Sequence, residues 1–333
     1  MERTEKPYPG CRDIIRRSLL RRDVPLATVN IMLASLAESS IKQYDVSIKK
    51  WFVHCTRYSI NMFEASVPEV LNFLTSLFNG GSQYGTLNSC RAALSLILDS
   101  NITRDNRIER FFKGVFRLRP PLPRYNVTWD TSRVLDYLAK NYPNESLSLK
   151  KLSYKCVTLL ALTTTHRVQT LSKIIVNNIE ISSSKIIIKI PDLIKSSRPG
   201  SNQPALDLPF FPEKPAVCPA HTLISYLSKT AALRSQGYLF ISFKKPFKIV
   251  STQTLSRWIK TTLRDAGIDV SIFSAHSTRH ASTSKAYSSG ISIELIRKTA
   301  GWSQNSNTFW KYYNKGTISN QECNSLARAI IID

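Results

Sequence analysis

The sequence predicts a mainly α-helical protein with a small antiparallel β-sheet, divided into two domains. Three observations point that way. Apolar residues recur at three- and four-residue steps through most of the chain. A proline-rich basic stretch interrupts them roughly a third of the way along. Two short runs rich in isoleucine lie close together in the second half, separated by a polar turn.

In the first domain Ser40 can cap a helix on which Ile41, Tyr44, Ile48, Trp51, Phe52 and Cys55 share a face. Ser66 and Pro68 open a second, with Val70, Leu71, Phe73, Leu74, Leu77 and Phe78 inward and Gly80 and Gly81 at its end. Leu87, Cys90, Ala93, Leu94, Ile97 and Leu98 mark a third. Residues 26–116 are therefore expected to form a helical domain, preceded by a basic extension over 1–25. Arg117-Leu-Arg-Pro-Pro-Leu-Pro-Arg124 follows; its prolines rule out a helix, so 117–129 reads as a linker. Arg117, Arg119 and Arg124 suit a path over a phosphate backbone.

The second domain, 130–315, opens on a helix capped by Thr131, with Val134, Leu135 and Leu138 inward. Another helix carries Val157, Leu159, Leu160 and Leu162 into TTTHR. Strands are expected over Lys173–Ile181, Lys185–Ile190 and Ala205–Leu208, the last after the loop KSSRPGSNQP. Helices then cover His221–Leu227, Thr252–Asp265, Ser274–Ser289 and Ser292–Ala300. Leu326, Ala327, Ile330 and Ile331 in the tail, 316–333, suit a helix that docks in cis or exchanges between protomers.

Lys and Arg number 46 against 23 Asp and Glu, a formal net charge of +23. Such a field favours a polyanionic partner, and nucleic acid is the natural one. No apolar run is long enough to span a membrane, and MERTEKPYPG lacks the apolar core of a secretory signal. The six cysteines are scattered without a CxxC pair, as expected of reduced thiols in an intracellular compartment. Cys218 and His221 have metal-like spacing in CPAH, but no second pair completes a zinc site.

Four elements can carry chemistry. In SAHSTRHA, His276 and Arg279 lie on one side of a helix's first turn, where free N–H groups and the helix dipole attract phosphate. Arg167 sits at an apolar corner, where it serves either a salt bridge or a phosphate oxygen. GW, with Trp302, precedes TFWKYYNK, in which Lys311 and Lys315 flank Tyr312 and Tyr313. Lys195 lies in the loop beside the small sheet.

The order Arg, Lys, HxxR, GW, Tyr resembles the tyrosine recombinase/phage integrase family. The wording of RPPLPRYNVTWD, THRVQTL, IKSSRPG, AHSTRHASTSKA and AGWSQNSNTFWKYYNK is similar to the recombinases of DIRS-like retrotransposons and related elements. The resemblance implies a C-shaped DNA clamp, with a SAM-like core-binding domain and a catalytic domain. It implies that Arg167 and Arg279 hold the non-bridging oxygens of the scissile phosphate. His276 then assists proton transfer, Trp302 donates its indole N–H, and Lys195 acts as general acid on the departing 5′ oxygen. Tyr313 attacks phosphorus to give a 3′-phosphotyrosine. Lys311 and Lys315 join Arg117, Arg119 and Arg124 as DNA contacts. Two points stay open: Thr170 replaces the carboxylate that many members carry three residues after the first arginine, and Tyr312 competes with Tyr313 as nucleophile.

A phenol of pKa about 10 needs positive surroundings to attack near neutrality, and two arginines, a lysine and a helix start provide them. The phosphotyrosine conserves bond energy, so no cofactor, metal or ATP is expected. Double-stranded DNA, a tetrameric synapse of identical chains, a role in mobile-element integration and residence in the nucleus complete the expectation. The rivals are a type IB topoisomerase and a domesticated DNA-binding protein.

Overall fold

The computed structural model describes residues 7–122, 125–195, 197, 199–200, 202–303, 306–314 and 316–317. The chain divides into two compact units, residues 1–123 and 124–333, within the proline-rich stretch.

Helical periodicity builds the first unit. Its helices are α1 (Cys11–Leu20), α2 (Leu26–Ala34), α3 (Glu38–Tyr58), α4 (Val67–Asn79), α5 (Tyr84–Leu94), α6 (Ser100–Thr103) and α7 (Asn106–Leu118). Ile48 and Trp51 of α3, Phe73 and Leu74 of α4, Leu87 and Leu94 of α5 and Ile108 of α7 form one dry core. The Trp51 indole N–H donates to the Met62 carbonyl at 3.0 Å, so this large ring is buried without a polar cost. The Glu69 carboxylate accepts from both the amide and the hydroxyl of Ser66, which fixes the start of α4.

Of the extension expected over 1–25, the described residues 7–25 are part of the helical unit, and 1–6 lie outside the described residues. Cys11, Ile14, Ile15, Ser18 and Leu19 are buried along one side of α1. The Asp45 carboxylate accepts from Tyr8 Oη at 2.8 Å and from the Cys11 amide at 3.0 Å, tying the segment to α3. The six arginines of residues 1–25 draw attention to charge, while the helical stripe of α1 decides its place. The expected linker is likewise shorter than 117–129, because α7 runs to Leu118.

The second unit wraps several helices and a sheet around a nearly all-buried helix. Its elements are β1 (Val127–Thr128), α8 (Thr131–Ala139), α9 (Leu149–Thr164), α10 (Val168–Leu171), β2 (Ile179–Ile181), β3 (Lys185–Lys189), β4 (Ala205–Pro209), α11 (Pro219–Thr230), α12 (Thr252–Asp265), α13 (Ser277–Ser288), α14 (Ile293–Thr299) and β5 (Gly316–Thr317). Phe309–Tyr313 forms a single π-helical turn. Leu152, Val157, Leu159, Leu160 and Ala161 of α9 are fully enclosed by α11, α12, α13 and the sheet. The sheet runs antiparallel in the order β2-β3-β4, with Ile186 opposite Leu208 and Ile188 opposite Leu206, all four buried. A mainly helical fold with a small antiparallel sheet is therefore what this sequence forms.

The strand expected over Lys173–Ile181 shrinks to Ile179–Ile181. Val176–Asn178 turn as a short 3₁₀ helix, and the residues before them pair elsewhere: Val176 N donates to Gly237 O and Leu239 N to Ile174 O. Helix α3 begins at Glu38 rather than after Ser40. In CPAH, Cys218 Sγ accepts the His221 amide at 3.4 Å, so the motif is a helix cap. Among the described residues no helix is long and apolar enough to cross a membrane, and no group of three or more His, Cys, Asp or Glu side chains could hold a metal.

Candidate active site

Helix α9 ends on Thr165, whose φ of 53° is left-handed and turns the chain sharply. That turn sets His166 in the interior and Arg167, half-buried, at the start of α10. On the opposing side Trp129 Nε1 donates to Ser277 Oγ at 2.9 Å, fixing the first turn of α13. His276, immediately before that turn, and Arg279 within it project toward the same place.

Arg279 is 1 % exposed, an unusual position for a charge. Its Nη2 donates to the Ala300 carbonyl at 2.7 Å, and its guanidinium carbon lies 4.8 Å from the centre of the Trp302 ring. Its Nε and Nη1 are buried without a well-formed hydrogen bond to any described residue, and so is Trp302 Nε1. Burial lowers its pKa to about 10, Tyr313 nearby opposes that shift, and the charge of Arg167 adds to it. It remains a cation at neutral pH.

His276 Nε2 lies 2.9 Å from the hydroxyl of Tyr313. His276 is exposed by surface area, yet its pKa falls to about 4. The protein packed around the ring is the largest cause; Arg279, Arg167 and Lys195 push in the same direction. The neutral ring can thus take a proton from a phenol that approaches its unprotonated nitrogen. The charges of Arg279, Arg167 and Lys195 are thus all felt at His276.

Tyr313 is 6 % exposed and Tyr312 60 %. The π turn decides between them, directing Tyr313 against Trp302, at 4.7 Å between ring centres, and into the core made by Ile296 and Phe309. The structure therefore brings His276, Arg279, Trp302 and Tyr313 into contact and leaves Tyr312 outside, while half-buried Arg167 and exposed Lys195 reach this group through the fields they exert on His276. Thr170 is buried one turn beyond Arg167 and supplies no charge there.

The residues expected to contact DNA separate into distinct cases. Arg117 is exposed on the last turn of α7, with Arg110 and Lys113 along the same face. Arg119 is engaged otherwise: its Nη1 donates to Phe78 O and Ser82 O at 3.1 and 2.8 Å, and the guanidinium lies 4.1 Å over the Phe78 ring. It closes the end of α4. Arg124 and Lys315 lie outside the described residues, as does the side chain of Lys311.

Sequence reasoning missed two histidines. His166 is buried, its pKa lowered to about 4 by burial first and then by Arg279 and Arg167. Its ring packs on Gly301, where a Cβ would come within 3.3 Å of Cε1, and Gly301 itself has a left-handed φ of 63°. His280 stacks on Tyr313. It lies one helical turn after His276, a spacing from which it could have been found.

The sequence profile of the phage integrase family matches residues 131–317. Among solved structures, the XerH site-specific recombinase bound to palindromic difH substrate, a post-cleavage complex, superposes with a TM-score of 0.63 at 13% identity, over 96% of this chain and 94% of that one. The Tn1549 transposon integrase in complex with circular intermediate DNA gives 0.54 at 11% identity, over 96% and 99%. A lambda integrase tetramer bound to a Holliday junction gives 0.52 at 16% identity, over 92% and 79%. No curated protein matches the sequence significantly. These structural likenesses show a shared fold, and the profile match over more than half the chain shows descent: this protein belongs to the phage integrase family.

Proposed function

We propose that this protein is a site-specific DNA recombinase that cuts and rejoins strands through a 3′-phosphotyrosine. The observation that carries the proposal is the set of buried donors, Arg279 Nε and Nη1 and Trp302 Nε1, packed against the ring of Tyr313. Buried N–H groups without acceptors are costly, and a phosphate diester supplies the acceptors that match a guanidinium fork.

In the proposed step Tyr313 Oη attacks phosphorus and its proton passes to His276. A new P–O(Tyr) bond forms as the P–O5′ bond breaks, and Lys195 donates a proton to the leaving 5′ oxygen. Arg167 and Arg279 stabilise the charge that develops on the non-bridging oxygens. Rejoining is the same sequence reversed by a 5′ hydroxyl, so the bond energy stored on Tyr313 replaces an external energy source. Metal-free charge stabilisation is the role of these cations.

The named neighbours act on or bind DNA, one of them as a tetramer and one in a transposon, which supports a synapse of identical chains and integration of a mobile element as the setting. The motif wording supports the DIRS-like subgroup, and nuclear residence follows from that setting. Arg110, Lys113 and Arg117 provide salt-sensitive phosphate contacts from the N-terminal unit.

A nicked suicide substrate tests the proposal. Incubated with the protein in a metal chelator, it should yield an adduct that survives denaturation. Strand cleavage that appears only after magnesium is restored would contradict the mechanism.

A further inference from the structure

The imidazole of His280 lies face to face with the phenol of Tyr313, their centres 4.2 Å apart and their planes 13° from parallel. None of the steps above uses this ring. Helix α13 touches the tyrosine segment at three levels of a single stripe. His276 meets the hydroxyl, His280 covers the ring, and Ser284 Oγ donates to the Tyr313 carbonyl at 2.5 Å. Residues at i, i+4 and i+8 stand above one another on a helix, so these three are held in register by the backbone of α13 itself. Trp302 closes another side of the phenol at 4.7 Å and 58°, and Tyr125, itself packed on Phe273, meets His280 in an edge contact.

We infer that His280 is a positioning residue for the nucleophile: its planar ring clamps the phenol of Tyr313 so that the hydroxyl stays at His276. The inference rests on the recombinase reading for its consequence and on geometry for its content. A tyrosine in a one-turn π segment has little backbone to restrain it, and a phenol rotates freely about two side-chain torsions. Misplacing a nucleophile by about 1 Å costs on the order of 100-fold in rate. The stack removes one of those torsions, and the Ser284 bond holds the backbone that carries the other. Flatness, not acid–base capacity, is what the stack requires of residue 280.

His280→Phe and His280→Leu separate these requirements. Phe keeps a flat ring but cannot titrate, and Leu fills the space without a plane. On the suicide substrate His280→Leu should form adduct about 10- to 100-fold more slowly at unchanged DNA affinity. His280→Phe should stay within about threefold of the natural chain and keep its pH profile. A second measurement needs no DNA. Nitration by tetranitromethane, mapped by mass spectrometry, should modify exposed Tyr312 readily and Tyr313 slowly, with Tyr313 speeding up in His280→Leu but not in His280→Phe. A Phe variant as slow as the Leu variant, or a Leu variant as fast as the natural chain, would overturn the inference. A natural chain that forms no adduct yet shows the nitration pattern would retain the clamp and count against the recombinase reading alone.

Discussion

The N-terminal unit hides apolar side chains and displays its charges, whereas the C-terminal unit hides charges as well. Among the described residues, the first core admits only Ser18, Ser47 and Thr103 as buried polar groups, each small. The second encloses Lys155, His166 and Arg279. Within that second set there is a further contrast. Lys155 Nζ donates to Asn141 O at 2.6 Å and lies near the Tyr142 ring, although burial lowers its pKa to about 8. It helps to hold the turn before α9. Arg279 donates to the Ala300 carbonyl and keeps Nε and Nη1 buried with no well-aligned acceptor, the Tyr313 hydroxyl being close enough only to raise its pKa. A buried charge with a partner is architecture; a buried charge with donors left over beside the Tyr313 ring marks a candidate site.

That difference can be broken experimentally. Replacing Arg279 by Met keeps side-chain length and removes the charge. Adduct formation should fall by about 10²–10³-fold while DNA affinity changes little, because exposed basic residues supply most of the binding. The DNA-free protein should gain about 1–2 kcal/mol, since an incompletely satisfied buried cation is lost. Trp51→Ala in the other core should do the opposite, costing about 3–5 kcal/mol in denaturant unfolding without slowing cleavage by the folded molecules. Should both variants destabilise equally, the buried arginine is an ordinary part of the fold.

Acid sharpens the contrast. The folded-state pKa values of His166 and His276 lie near 4, below the ordinary 6.5. The unfolded chain therefore takes up these protons first, so stability is complete near pH 7 and declines as pH falls from 6.5 toward 4. His166 alone, being buried, should account for a loss of about 2 kcal/mol between pH 7 and pH 5. His166→Gln should flatten that dependence in melts followed across the range; an unchanged slope would show that His166 is not held neutral by its surroundings.

The smallest effects separate Arg117 from Arg119. Exposed Arg117→Ala should weaken DNA binding a few-fold and reduce the salt slope by about one, with stability unchanged. Arg119→Ala should cost about 1–2 kcal/mol of stability through the lost bonds to Phe78 and Ser82, with less effect on the salt slope. Titrations over a salt series, paired with thermal melts, read both.

Much of this was legible in the chain itself. Helix α12 spans the expected Thr252–Asp265, and the short apolar runs placed β3 and β4 to within a residue. Motif order gave the family before any coordinate, and charge gave the expectation of a polyanionic partner. The rest needed three dimensions. Adjacent residues on a helix diverge by about 100°, so which of Tyr312 and Tyr313 turns inward depends on the π turn, for which no sequence signal is simple. The stripe of α1 was masked by its arginines, and the strand over 173–178 was lost because Ile174 and Val176 find partners at Gly237 and Leu239. Arg119 looks like its neighbour Arg117 until its carbonyl acceptors are seen. His280 was obscured by being next to Arg279, the residue that drew the attention.

The proposed chemistry depends most on Tyr313. Digesting the trapped adduct with nuclease and protease, then locating the residual nucleotide by mass spectrometry, tests it most directly. The remnant is predicted on Tyr313, and Tyr313→Phe should leave none while Tyr312→Phe retains it. A remnant on Tyr312, or on any residue outside the Phe309–Tyr313 turn, would contradict the proposed chemistry.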